Sequence, residues 1–137
     1  MKEKNIDCPC GGGKYAQCCG RYHSGDAVAP SAEALMRSRY SAYVMNLGDY
    51  LQATWHRTTR PLEPITAEAG LKWLGLEVRK HETNGDSATV EFVARYKIGG
   101  RAERLHEVSS FLREREPGTD DRLRWFYVDG SFPNKEK

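Results

Sequence analysis

The sequence predicts an α+β protein in which helices pack on a curved antiparallel sheet, with a small cysteine-rich knuckle in front of them. Three observations predict this order. All four cysteines lie between positions 8 and 19, helical periodicity follows over residues 30–56, and apolar–polar alternation with turn signals fills residues 73–130. Helices followed by consecutive antiparallel strands are typical of α+β domains. We therefore expect a cysteine motif over residues 1–25 and an α+β domain over residues 26–137.

The knuckle contains Cys8 and Cys10, followed after seven residues by Cys18 and Cys19. Zn²⁺ binds four thiolates tetrahedrally, and a site closed by four protein ligands is structural because no position stays open for water. The glycines at positions 11–13 allow the sharp turn that such a site requires. Since so short a segment has almost no core, metal binding would supply its folding free energy.

Alternatives to a zinc site with four cysteines stay open. Disulfides between the two pairs are disfavoured in a reducing compartment, and a thioredoxin-type redox pair would need C-x-x-C beside a βαβ unit. The glycines before Lys14 lack the hydroxyl residue and the preceding strand of a phosphate-binding loop. His23 could replace one ligand, because the adjacent Cys18 and Cys19 strain the geometry.

Residues 30–56 form the predicted helical region. Ser31 gives an N-cap signal for the first helix. Gly48 ends or bends that helix, and Asp49 can cap a second, short one. A further helical turn is expected within residues 65–75. The apolar residues that recur at helical spacing are Leu35, Met36, Tyr40, Tyr43, Val44 and Leu47.

Residues 73–130 form the predicted sheet. Turn signals at residues 84–86 (Asn-Gly-Asp), 98–103 and 116–121 divide it into four antiparallel strands. Alternation is most regular over residues 87–98. One face of that strand is expected to carry Ala88, Val90, Phe92, Ala94, Tyr96 and Ile98.

The composition, with 39% hydrophobic and 29% charged residues in 137, is that of a soluble globular protein. No apolar run approaches the roughly 20 residues that span a membrane, and the N-terminus lacks the apolar stretch of a signal peptide. We therefore expect a cytoplasmic protein without a membrane partner. The net charge of only +2, with arginines interleaved among acidic residues, argues against nucleic acid as a partner.

Residues 8–20, CPCGGGKYAQCCG, resemble the SEC-C zinc motif, which is found at the C-terminus of the bacterial secretion ATPase and in many small proteins. The usual pattern is close to C-P-C-G-S-G-K-K-Y-K-K-C-C/H-G. This chain is one residue shorter between the cysteine pairs, has Gly12 where serine is usual, and has Ala16 and Gln17 where lysines often stand. The missing lysines weaken the expectation of an electrostatic partner surface.

Nearly the whole chain resembles the YchJ family of uncharacterised bacterial proteins. The resemblance implies a nuclear-transport-factor-2-like (NTF2-like) fold, a cone of helices over a strongly bent sheet, and a bound metal. It implies no established activity. The segments that carry it are residues 35–44 (LMRSRYSAYV), 54–57 (TWHR), 73–76 (WLGL), 90–96 (VEFVARY) and 125–130 (WFYVDG).

A second candidate site lies inside the cone, where helices and sheet can enclose a pocket. Arg39 falls within the apolar stripe of the first helix, and a buried guanidinium needs a carboxylate. Counting outward from the last turn places Glu107 opposite Asp129, so that both carboxylates point to one face near Arg39. Trp55 and His56 are expected to line the mouth of this pocket.

These residues support two interpretations. In the first, His56 is a general base, Glu107 or Asp129 orients it, and Arg39 holds an anionic group. In the second, a buried arginine–carboxylate pair only fixes the helix onto the sheet. The sequence favours a cytosolic zinc-binding interaction or adaptor module for a protein partner over an enzyme. A small-molecule-binding protein or enzyme using the pocket is the alternative, and a nucleic-acid-bearing partner of the knuckle is a third.

Overall fold

A computed structural model describes residues 6–115 and 123–133 of the chain. The helices in this part are α1 (Cys19–His23), α2 (Ala32–Val44) and α3 (Gly48–Ala53). The strands are β1 (Leu71–Asn84), β2 (Ser87–Ile98), β3 (Arg101–Glu114) and β4 (Arg124–Ser131). They form one antiparallel sheet in which neighbouring strands follow the chain order. The predicted α+β class is confirmed.

Helix α2 begins where the sequence predicts. The Ser31 Oγ accepts a hydrogen bond from the backbone N–H of Ala34 at 3.1 Å, which satisfies one of the amide groups left unpaired at a helix start.

Helix α3 does not begin as predicted. Leu47 is its N-cap residue, and Asp49 lies in its first turn without a capping hydrogen bond. The reason is the short connection to α2, in which Asn46 adopts a positive φ of 61° and Leu47 N donates to Ala42 O at 2.9 Å. The chain has therefore turned back into a helix at Gly48, before Asp49 can cap it.

The hairpin at residues 84–86 and strand β2 are confirmed. Asn84 pairs with Ser87 across a two-residue turn, and Gly85 supplies the positive φ of 66° that such turns require. The helical turn expected within residues 65–75 is wrong, because β1 already begins at Leu71. Its pairing with β2 overrides a weak local preference. The turn expected at residues 116–121 lies outside the described residues.

One buried cluster joins the helices, the inner face of the sheet and the cysteine segment. Its members include Cys8, Cys10, Cys19, Leu35, Met36, Tyr40, Val90, Phe92, Phe111 and Trp125. The knuckle therefore packs into the same core as α2. The division after residue 25 stays a prediction. In the described part of the chain, each helix is too short or too polar to span a bilayer.

Candidate metal centre and cone cavity

The sulfur atoms of Cys8, Cys10, Cys18 and Cys19 all lie within 4.8 Å of one another. All four thiols are free, and the Cys10 and Cys18 Sγ atoms are 3.5 Å apart, far beyond the roughly 2.05 Å of a disulfide. Four sulfurs at about 2.3 Å from a tetrahedral zinc ion are about 3.8 Å from one another. The donor set and its spacing therefore fit a thiolate-bound metal ion.

A tight loop brings the first cysteine pair together. The backbone N–H of Cys8 donates to Gly13 O at 2.7 Å, and that of Gly11 donates to Cys8 O at 3.0 Å. Gly11 and Gly13 have φ values of 86° and 128°, a region that residues with a side chain rarely adopt. The loop turns the chain back within a few residues, as the glycines in the sequence indicated.

Helix α2 supports the cysteine cluster from outside. The Ser41 hydroxyl donates to Cys19 Sγ at 3.3 Å and lies 3.4 Å from Cys8 Sγ. The Arg37 Nη1 donates to the carbonyl oxygen of Cys10 at 3.2 Å. Sequence reasoning missed these contacts, although a fully buried serine within a helix needs a polar partner.

The four thiols are not equivalent. Hydrogen bonds from Cys10 and Cys19 lower the pKa of Cys8. Burial raises the pKa of Cys18 to about 11, and hydrogen bonding with Cys10 and Cys8 raises the pKa of Cys19. Because thiolates are the metal ligands, metal binding here displaces protons from the thiols and depends on pH.

His23 is not part of the cluster, and the alternative that it replaces a cysteine is wrong. Its Nε2 donates to the carbonyl oxygen of Ser38 at 2.8 Å, and its Nδ1 accepts from the Tyr15 hydroxyl at 2.6 Å. Both ring nitrogens are therefore occupied. Burial lowers the pKa of His23, so the imidazole acts as a neutral link between the knuckle and α2.

A cavity of about 270 Å³ lies between α2 and the inner face of the sheet. Its polar end is formed by Arg39, Glu107, Ser109 and Tyr127. Tyr43, which is 38% exposed, lies at its rim. The remaining walls are apolar and largely aromatic, and are lined by Met36, Tyr40, Trp73, Phe92, Ala94, Leu105 and Phe111.

Arg39 is 5% exposed, but it does not form the expected ion pair. No carboxylate oxygen within residues 6–115 and 123–133 comes within 4.0 Å of its guanidinium. Instead, its Nη1 donates to Leu51 O at 2.8 Å and to Thr54 Oγ1 at 2.7 Å. Its Cζ lies 4.5 Å from the ring centroid of Tyr127 and 5.1 Å from that of Trp55, within the range of cation–π contacts. Burial lowers the pKa of Arg39, which still stays charged at neutral pH.

Glu107 forms the other half of the polar end. Its Oε2 accepts hydrogen bonds from Ser109 Oγ at 2.7 Å and from the Tyr127 hydroxyl at 3.3 Å. Burial raises the pKa of Tyr127, and the nearby charge of Glu107 raises it further. Sequence reasoning missed Ser109, although strand alternation places it on the same face as Glu107.

Asp129 does not join this group, and the predicted register of the last hairpin is wrong. Asp129 pairs with Ser110 and not with Glu107, and it is exposed. A bulge between Ser110 and Phe111 shifts the pairing of β3 with β4. The register is already two residues away from the predicted one where Glu114 pairs with Arg124, and the bulge, which a count from the turn cannot include, adds one more.

His56 does not line the cavity either. Its side chain is buried against the end of β3, where Nε2 donates to Glu114 Oε2 at 2.7 Å. Its Nδ1 accepts from Thr58 Oγ1 at 2.8 Å. Trp55 contacts Arg39 and the edge of Tyr127 without lining the cavity. The predicted base is therefore separated from the predicted anion site.

Comparisons with known proteins agree with this architecture. A family model described as "YchJ, middle NTF2-like domain" matches residues 31–130. A UPF0225 protein from Cupriavidus metallidurans is 58% identical over 127 residues, which cover 91% of this chain and 88% of the relative. A UPF0225 protein from Chromobacterium violaceum is 53% identical over 135 residues, with coverages of 94% and 95%.

Two solved structures are similar over nearly the whole chain. One is a SEC-C motif containing protein from Psychrobacter arcticus, with a TM-score of 0.78 and 27% identity, covering 94% of this chain and 84% of that one. The other is RPA3114, a SEC-C motif containing protein from Rhodopseudomonas palustris. Its TM-score is 0.76 and its identity 34%, with coverages of 93% and 98%. Both support the NTF2-like fold with an attached cysteine motif.

Proposed function

The chain belongs to the YchJ family, and on that premise we propose that it is a small-molecule-binding protein whose cone is stabilised by a structural zinc ion. The observation that carries the proposal is the cavity at Arg39 and Glu107. Concave, mostly apolar sites with a few convergent polar groups are typical of ligand pockets. The polar end of this cavity holds two buried charged residues, Arg39 and Glu107, that do not form a salt bridge with each other.

The histidine predicted as the general base does not reach the cavity. General acid–base catalysis needs a base within reach of the substrate, and His56 is engaged with Glu114 away from the cavity. Among the described residues that line the cavity, none is a histidine or a cysteine.

Filling the cavity tests the proposal. Ala94 lines it and is 1% exposed, so Ala94→Met places a larger side chain inside. We expect this variant to remain folded by circular dichroism, at a cost of about 1–3 kcal/mol for overpacking. It should lose the binding of small aromatic fragments, such as indole and phenol, that ligand-observed NMR detects with the wild type. Ala102→Met, at an exposed position of β3, is the matched control. No fragment binding to the wild type would refute the proposal.

The zinc ion is the second part of the proposal. Four buried or half-buried thiols at tetrahedral spacing support it. Elemental analysis of freshly purified protein should find about one zinc ion per chain, and Cys8→Ser should lower that content. Four titratable thiols without any metal would show the assignment to be wrong. A cytoplasmic location goes with this proposal, because thiols stay reduced and available as ligands in a reducing compartment.

An interaction or adaptor role of the knuckle is a second candidate function. The observation in its favour is an exposed apolar residue, Ile6 (43% exposed), beside the exposed loop at residues 11–14. A pull-down with the wild type and with Ile6→Ser tests it. A protein captured only by the wild type would support a partner surface, and equal capture by both would refute it.

A further inference from the structure

We propose that the cone cavity binds a small neutral aromatic amide or lactam, in preference to a carboxylate or a cation. The inference rests on the proposed binding function and names the chemical class of its ligand. Hydrogen-bonding capacity, charge balance and the shape of the cavity each support it.

Arg39 offers hydrogen-bond donors to the cavity. Both of its hydrogen bonds use Nη1. Its Nε and Nη2 have no acceptor within residues 6–115 and 123–133, although the side chain is only 5% exposed. These groups are not among the fully enclosed unpaired atoms of the described chain, so they face accessible space. Because Arg39 lines the cavity, a ligand oxygen there is the acceptor that these groups can reach.

Glu107 offers an acceptor from the same end of the cavity. Both of its hydrogen bonds, from Ser109 and Tyr127, go to Oε2. Its Oε1 has no donor among the described residues, although Glu107 is only 8% exposed. A ligand N–H would satisfy this oxygen.

The two charges select against an ionic ligand. Arg39 and Glu107 both contact Tyr127, one over its ring and the other at its hydroxyl. A ligand carboxylate would pair with Arg39 but be repelled by Glu107. An amidinium would pair with Glu107 but be repelled by Arg39. An amide edge carries one acceptor and one donor without net charge, and so matches both side chains.

The apolar walls determine the rest of the ligand. Trp73, Phe92 and Phe111 line the cavity, and aromatic faces and edges favour a planar ring between them. Its volume of about 270 Å³ lies just below the range of about 300–1,000 Å³ that is usual for ligand pockets. A ligand of one or two rings fits this space.

Three probes of nearly equal shape test the inference on the intact protein at pH 7: benzamide, benzoate and benzamidine. We expect benzamide to bind the wild type at least about tenfold more tightly than the two ionic probes, a difference that corresponds to about 1.4 kcal/mol. Titration calorimetry or ligand-observed NMR measures the three dissociation constants. Equal or tighter binding of benzoate or benzamidine would overturn the inference while leaving the binding function intact.

A charge-removing variant provides a second test. Glu107→Gln keeps an acceptor for Ser109 and Tyr127 but removes the negative charge, so the preference should shift toward benzoate by about tenfold relative to the wild type. Glu82→Gln, on the exposed part of β1, is the matched control and should leave the order unchanged. An unchanged order in Glu107→Gln would contradict the inference. If that variant does not fold, the ranking on the wild type decides alone.

The binding of indole and phenol, compared with that of the three probes, separates an error in the ligand class from an error in the proposed binding function. If indole or phenol binds in the cavity and none of the three probes does, only the ligand class is wrong. If no aromatic fragment binds, both the ligand class and the binding function are wrong.

Discussion

Gly130 determines where the Glu107 carboxylate can lie. A Cβ atom built on Gly130 would overlap the carboxylate and Cγ of Glu107, so the buried acid rests directly against the backbone of β4. The backbone of β4 is extended at Gly130, so a glycine is not needed there for its backbone freedom. It is needed because any side chain would occupy the space that the Glu107 carboxylate fills. The polar end of the cavity therefore depends on a residue without a side chain.

Replacement of Gly130 tests this dependence. In Gly130→Ala, the Glu107 side chain must move and lose its hydrogen bonds with Ser109 and Tyr127. We expect urea unfolding to show a loss of about 1–3 kcal/mol in the free energy of unfolding. Gly75→Ala is the control, because its Cβ would have only the Arg95 side chain nearby, at 3.8 Å, and its effect should stay within about 0.5 kcal/mol. Equal stability of both variants would show that Glu107 is not held against Gly130.

Tyr50 makes the free energy of unfolding depend on pH in the alkaline range. Burial raises its pKa to about 12, whereas a phenol in an unfolded chain has a pKa of about 10. Above pH 10 the unfolded state therefore binds fewer protons than the folded state. The contribution of Tyr50 to the stability is complete below pH 10 and is lost as the pH rises toward 12.

A comparison of Tyr50→Phe with the wild type measures this contribution. Between pH 9 and pH 11, the free energy of unfolding of the wild type should fall by about 1 kcal/mol more than that of the variant. The variant also loses the hydrogen bond between the Tyr50 hydroxyl and Ser38, which spans 2.7 Å. The difference in the free energy of unfolding at pH 9 measures this loss and is subtracted from the difference at pH 11. Identical slopes in urea unfolding would contradict the burial of an un-ionised Tyr50.

At the scale of secondary-structure elements, helix α2 serves both candidate sites. Arg37 and Ser41, one turn apart, contact the cysteine segment. Arg39 and Tyr43, also one turn apart, line the cavity. Residues four apart share a face of a helix, so one helix presents one pair to the cysteine cluster and the other pair to the cavity.

Replacement of a cysteine of the cluster should therefore affect more than the knuckle. Cys8 is in the buried cluster that includes α2 and the sheet, so Cys8→Ser should destabilise the whole chain and not only residues 1–25. A loss of about 3 kcal/mol would lower the unfolding midpoint by about 10 °C in a chain of this size. Gln17→Ala, at an exposed position of the same segment, is the control. An unchanged midpoint for the α+β domain of Cys8→Ser would show that the knuckle unfolds independently.

At the scale of the whole molecule, the metal centre and the cavity should be coupled through α2. If the proposed metal is bound, its removal with a chelator should loosen the contacts of Ser41 and Arg37 with the cysteine segment, and with them the position of Arg39 on the same helix. We expect the chelated protein to bind benzamide several-fold more weakly, and benzamide to raise the apparent metal affinity by the same factor, because linkage is reciprocal. Chelator should have little further effect on benzamide binding by Cys8→Ser. Equal benzamide affinities with and without metal would exclude the coupling.

Several features of this protein could be predicted because neighbours in the sequence determine them. The four clustered cysteines sit in a glycine-rich segment of a dozen residues. The start of α2 depends on Ser31 and the amide group three residues later. The hairpin at Asn84 and the alternation in β2 need only the turn residues and a period of two. The buried position of Arg39 follows from the period of the helix.

The partners of the buried polar residues were decided only by the tertiary structure. The pairing of β3 with β4 is already two residues away from the predicted register at Glu114 and Arg124, and the bulge after Ser110 shifts it by one more, so Asp129 pairs with Ser110. Arg39 donates to a carbonyl oxygen and a hydroxyl group and contacts two aromatic rings, where a carboxylate was expected. His56 forms a hydrogen bond with Glu114, which is 58 residues away in the sequence. A sequence pattern indicates which side chains turn inward, whereas the register and the packing of distant elements determine which of them meet.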